Sequence, residues 1–90
     1  MKPEAMLQEL ETAASSLSVK VSYEALRTSV GMGGLCRVKG QYRVIIDKRA
    51  TPRERLVALA EALSKIDTSG AELSDSARGM IEHYAVRQAS

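Results

Sequence analysis

Apolar residues recur at three- and four-residue spacing at Met6, Leu7, Leu10, Ala13, Ala14 and Leu17, which places one stripe on a helix of about four turns. Pro3 suits a first helical position, because the proline ring presets φ and its missing N–H would be unbonded there anyway. A first helix is expected from about Pro3 to Leu17. The period then changes. Val19, Val21 and Tyr23 alternate with Lys20 and Ser22, the two-residue repeat of a strand with one face on a core.

Leu35 to Lys39 and Gln41 to Asp47 read as the arms of a β-hairpin joined at Lys39-Gly40, where glycine takes the positive φ of a tight turn. Cys36 and Val38 share a face on the first arm; Tyr42, Val44 and Ile46 share one on the second. Aligning those faces requires an odd-numbered loop, most simply three residues, beginning at Val38 or Lys39. On that register Leu35 and Ile45 point away from the core face. They then need a covering helix, a second copy or a protein partner, since exposed apolar patches mark contact surfaces.

Thr51-Pro52-Arg53-Glu54 is the clearest local signal: a threonine N-cap, proline at N1, and glutamate at N3 to return a hydrogen bond to the cap. The helix it opens carries Leu56, Val57, Leu59, Ala60, Leu63 and Ile66 as a stripe toward the sheet. Asp67-Thr68-Ser69-Gly70 ends it. A last helix from about Asp75 to Arg87 presents Ala77, Met80, Ile81, Tyr84 and Ala85 inward, with Ser74 as its cap. The fold class expected is α+β: helix, strand, hairpin, then two helices, with the helices packed on a small three-stranded sheet. One domain spans residues 1–90.

Composition narrows the function classes. Ninety residues suffice for one core, and with neither Trp nor Phe present that core is aliphatic. A lone cysteine, Cys36, cannot form an internal disulfide, and no charged-then-apolar signal segment opens the chain, so a cytoplasmic setting is expected. No apolar run approaches the roughly 20 residues of a membrane helix, so no membrane role is expected. The net charge is only +2, yet seven of the thirteen basic residues lie between Arg37 and Arg55. No repeat or low-complexity tract interrupts the chain. Its one linker-like stretch is the loop Thr28 to Gly34.

The stretch Arg43-Val44-Ile45-Ile46-Asp47-Lys48-Arg49-Ala50-Thr51-Pro52-Arg53-Glu54, continued by Arg55 to Lys65, resembles the central segment of the ImmA/IrrE family of bacterial zinc metallopeptidases. There a strand ending in Asn or Asp leads through Ser/Thr-Pro to a helix carrying T-L-A-H-E-L-G-H. Ala58-Leu59-Ala60-Glu61-Ala62-Leu63-Ser64-Lys65 falls on that octet without gaps. Leu59, Ala60 and Leu63 match and Ser64 keeps a small side chain. The order of helix, strand and hairpin is similar too, so the resemblance implies a minimal zincin-like fold.

It also marks what differs. In the family, two histidines one turn apart hold Zn²⁺ and the glutamate between them acts on metal-bound water. Those positions here are Glu61, Ala62 and Lys65. Alanine offers no base, and an ammonium group has no lone pair for a metal. Shifting the register by one places Glu61 on the catalytic glutamate but puts Ala60 and Ser64 at the histidines, so neither register restores a site. The expectation is a pseudoenzyme with no metal or other cofactor, and an ion pair between Glu61 and Lys65 worth about 0.2–0.5 kcal/mol on the former metal face.

The remaining candidates are weighed on residue type. His83 is the lone histidine; a zinc site would have to combine it with Cys36 and carboxylates from separate elements, and a partly exposed helix position is the favoured reading. For Cys36, packing in an apolar strand face outranks nucleophilic duty. Gly31-Met32-Gly33-Gly34 leads into a strand, whereas phosphate-binding loops open a helix, so it reads as a connection. Arg37, Lys39, Arg43, Lys48, Arg49, Arg53 and Arg55 could together contact nucleic-acid phosphates. Tyr42 is the hairpin's sole aromatic for stacking bases, so a solvated charged face is favoured. The functional expectation is a non-catalytic domain that binds a protein partner or itself in bacterial regulation, with a nucleic-acid-binding module as the alternative.

Overall fold

The computed structural model describes residues 2–25 and 33–89. The elements are α1 (Pro3–Ser16), β1 (Lys20–Glu24), β2 (Gly33–Val38), β3 (Gln41–Asp47), α2 (Pro52–Leu63) and α3 (Asp75–Ala89), an α+β arrangement in the expected order. No helix among the described residues is long and apolar enough to cross a membrane.

The three strands lie in the order β1-β3-β2, so the strand latest in the chain is central. β1 runs parallel to β3, with Val21 beside Val44 and Tyr23 beside Ile46. β2 runs antiparallel to β3, with Leu35 beside Val44 and Val38 beside Gln41. Val19, Val44 and Ile46 are buried on the face toward the helices, together with Leu10 of α1 and Leu59 and Leu63 of α2. Helices α1 and α2 pack side by side on this face, α1 against β1 and α2 against both β3 and β2. α3 closes the end of the layer through Ala77 and Ile81.

The hairpin departs from the odd-numbered loop expected above. Its loop is the residue pair Lys39-Gly40, with φ of +52° and +81°. Positive φ at both central positions is the primed-turn geometry that follows the twist of paired strands. An even loop reverses the faces of β2. Leu35 therefore turns inward beside Val44 and packs against the core, while Cys36 and Val38 move to the open face with Ile45. Turn geometry outweighed apolar alternation because β2 has apolar residues on both faces, so alternation alone could not choose.

Three ends are fixed by local bonding. The Thr51 hydroxyl accepts from the Glu54 N–H at 3.2 Å, and the Glu54 carboxylate accepts from the Thr51 N–H at 2.9 Å, the expected capping box. Ser74 caps α3 by accepting from the Ala77 N–H, and donates its own N–H and hydroxyl to the Glu9 carboxylate at 2.6 and 2.9 Å. One carboxylate of α1 thereby sets the start of α3. After α1, Ser18 adopts φ +60°, and the Val19 N–H reaches back to the Ala14 carbonyl at 2.8 Å, as in a Schellman termination.

Two smaller limits shift. α2 ends at Leu63, so Ile66 lies in the following turn, and Asp67 accepts the Ser69 N–H at 2.9 Å just beyond. β2 already begins at Gly33, inside the stretch expected to be loop, while Thr28 to Met32 lie outside the described residues.

Candidate functional site

Residues of one flank of α2 and of the outer strand β2 line an open groove of about 400 Å³. Leu35, Val57, Ala58 and Ala62 supply its apolar lining, with Gly34 beside Leu35. Arg53 and Glu54 stand at one end and Glu61 and Lys65 toward the other. The helical repeat explains this set. Leu56, Leu59, Ala60 and Leu63 are buried on one side of α2, and Val57 and Ala58 are displaced from that side around the helix. Val57, expected in the inward stripe, is thus half-buried on the groove flank.

The octet positions Glu61, Ala62 and Lys65 all fall on this groove. Ala62 is buried, while Glu61 and Lys65 are exposed. The ion pair expected between them does not form: among the described residues, the pair within 4.0 Å is Arg49 with Asp47. Two exposed side chains a turn apart keep their hydration and rotamer freedom, which together offset so weak an attraction. Among the described residues no group of three or more His, Cys, Asp or Glu side chains is placed to hold a metal ion.

The two residues singled out for contact separate. Leu35 lines the groove, on the helix side of the sheet. Ile45 is half-buried on the opposite face, in the row of Ser22 and Gly34. Cys36, a free thiol of intermediate exposure, lies there too, at the β2 end of the row it shares with Arg43 and Lys20. The core packing expected for it is therefore replaced by a place on the open face.

The basic cluster is dispersed and partly engaged within the chain. The Arg55 guanidinium donates to the carbonyls of Ala50 and Lys48 at 3.0 and 2.8 Å, and lies 4.6 Å from the centre of the Tyr23 ring. Arg49 donates to the Asp47 carboxylate at 2.9 Å. Hydrogen bonds from the Arg49 side chain, and then from the Arg49 N–H, hold the buried Asp47 carboxyl below the ordinary carboxylate range. Arg37 covers the Tyr42 ring at 5.4 Å, Arg43 faces the open side, Arg53 lines the groove, and Lys39 and Lys48 sit in separate exposed turns. His83 is exposed on α3, edge-on to Tyr84.

One polar contact lay outside what alternation could find. The Tyr23 hydroxyl of β1 donates to the Glu11 carboxylate of α1. Burial, first, and that bond, second, push the Tyr23 phenol well above its ordinary pKa. Glu11 lies on the flank of the helical stripe, and a tyrosine in the strand that follows that helix was the available signal.

No family model, no curated protein and no solved structure matches this chain.

Proposed function

We propose that this chain is a non-catalytic protein-interaction domain, a degenerate relative of the ImmA/IrrE metallopeptidases that acts by binding in the bacterial cytoplasm. The observation that carries the reading is the groove between α2 and β2. An apolar centre of Leu35, Val57, Ala58 and Ala62 lies between charged residues at its ends, the anatomy of a contact surface with a dry core and a polar rim. The three positions at which the resemblance would place zinc chemistry line that same groove as a carboxylate, a methyl group and an ammonium. A lysine and an alanine there suit contact with another chain better than metal-assisted hydrolysis.

Metal analysis of protein purified without chelator, paired with a peptide-hydrolysis assay, tests this reading. The expected result is substoichiometric zinc and no hydrolysis. Zinc at one ion per chain together with cleavage would overturn it. Fluorescence anisotropy with generic DNA and RNA at low salt tests the alternative, and the expected result is no saturable binding, because Arg49 and Arg55 already serve acceptors within the chain.

A further inference from the structure

We infer that the groove is filled by a second copy of this chain: two β2 strands pair edge to edge about a two-fold axis, and their α2 helices meet antiparallel above the seam, Arg53 facing Glu61 of the other copy. The inference rests on reading the groove as an interaction surface, and it names the occupant.

The sheet supplies the first argument. β2 is an outer strand, and its two-residue turn makes Val38 and Gln41 a mutually hydrogen-bonded pair. Alternation then bonds Cys36 and Gly34 to β3 and aims the backbone groups of Arg37 and Leu35 outward. Among the described residues nothing pairs with these outward groups, and an outer strand of this kind is a template for another strand. Antiparallel pairing centred on Leu35 would join the two sheets into one of six strands.

Helix spacing supplies the second. α2 packs on both β3 and β2; with its axis over the gap between them it lies about half a strand spacing inside β2. The two-fold lies about half a spacing outside. Doubling their sum separates the two α2 axes by about 10 Å, two strand spacings, which is the packing distance of helices. The same operation that pairs the strands therefore brings Val57 and Ala58 of each copy into the other's groove.

Charge supplies the third. β3 ends beside the start of β2 and leads into α2, so α2 runs in the direction of β2, and Val57 near its middle lines the groove together with Leu35 of mid-β2. An antiparallel pair centred on Val57 sets residue 53 against residue 61 of the other copy, since each lies four positions from the centre. Those residues are Arg53 and Glu61, and the symmetry makes the pair twice. Both side chains are exposed and line the groove.

Sedimentation equilibrium of the full chain over a concentration series tests the proposal, with circular dichroism to verify folding of each variant. The expected mass is twice 9.8 kDa. Arg53→Glu and Glu61→Arg each weaken association roughly tenfold, and the doubly reversed chain regains it, because complementary charge is restored across the two-fold. Arg37→Pro, which removes an outward N–H and spares the β2–β3 ladder, and Val57→Glu each yield a folded monomer. A short bis-maleimide joins Cys36 to Cys36 in the parent chain alone. A wild-type monomer at every concentration would overturn the dimer, as would a dimer indifferent to the charge reversals, to Arg37→Pro and to Val57→Glu. Zinc content and hydrolysis, which judge the interaction reading, do not depend on mass, so the two can fail separately.

Discussion

The guanidinium of Arg55 lies over the ring of Tyr23, 4.6 Å from its centre, and binds α2 to β1 across the helix layer. Because the Tyr23 hydroxyl also donates to Glu11 of α1, one tyrosine ties two helices to a strand that, among the described residues, has a single neighbour in the sheet. Arg55→Met keeps much of the stem while removing the cation and its bonds to Ala50 and Lys48. It is expected to destabilise the chain by about 1–3 kcal/mol in urea titrations, and Arg55→Lys by nearly as much, because an ammonium lacks the planar fork that serves two carbonyls.

Tyr23→Phe removes the hydroxyl and lowers stability by about 1 kcal/mol at neutral pH. It also alters the alkaline limb. The folded phenol titrates above its ordinary value, so its contribution is complete below the unfolded pKa of about 10 and declines as pH rises beyond it. Unfolding free energies measured from pH 8 upward should therefore fall less steeply in the Phe variant.

Asp47 governs the opposite limb. Its folded pKa is depressed, chiefly by hydrogen bonds from the Arg49 side chain and then from the Arg49 N–H, so its contribution is present above the unfolded value of about 4 and is lost as pH falls through the folded one. Asp47→Asn should flatten stability below about pH 4 and lower it at pH 7. Acid unfolding followed by circular dichroism measures both.

The capping box of α2 is separable from its packing. Thr51→Ala is expected to cost about 1 kcal/mol, and Thr51→Ser little, since the serine hydroxyl accepts the same Glu54 N–H. A shift in the urea midpoint with an unchanged m-value is the measurement, and an unchanged midpoint for Thr51→Ala would contradict the bonding at 3.2 Å.

Two side chains occupy left-handed backbone where glycine or asparagine is at ease. Ser18 has φ +60° and Lys39 φ +52°. Ser18→Gly and Lys39→Asn are each expected to raise stability by about 0.5–1 kcal/mol, and Gly40→Ala to lower it by a similar amount, through its φ of +81° and not through crowding, since no atom lies within 4 Å of the added methyl. Thermal midpoints rank the three.

What the residues announced was whatever chemistry is local. Thr51, Pro52 and Glu54 specify a helix start within four positions, and the structure forms that start with the expected bonds. Ser74 likewise caps α3, but its second partner, Glu9, is 65 residues away, beyond any local pattern. The inward turn of Leu35 was hidden because Leu35 and Val38 suit opposite registers equally, leaving the decision to the φ angles of Lys39 and Gly40. The groove was half visible: the octet drew attention to Glu61, Ala62 and Lys65, but only the fold brings Leu35 into the same groove.

The placement of β3 between its neighbours has a further consequence for synthesis. β1 and β2 both precede it in the chain, and neither pairs with the other. A nascent polypeptide halted before Gln41 thus carries two of the three strands and no sheet. The hairpin can close as soon as β3 emerges, because its pairs are near in sequence, whereas the parallel pairing of Lys20 with Arg43 must enclose a longer loop. On loop length alone β1 is expected to dock after the hairpin, although it leaves the ribosome before either hairpin strand.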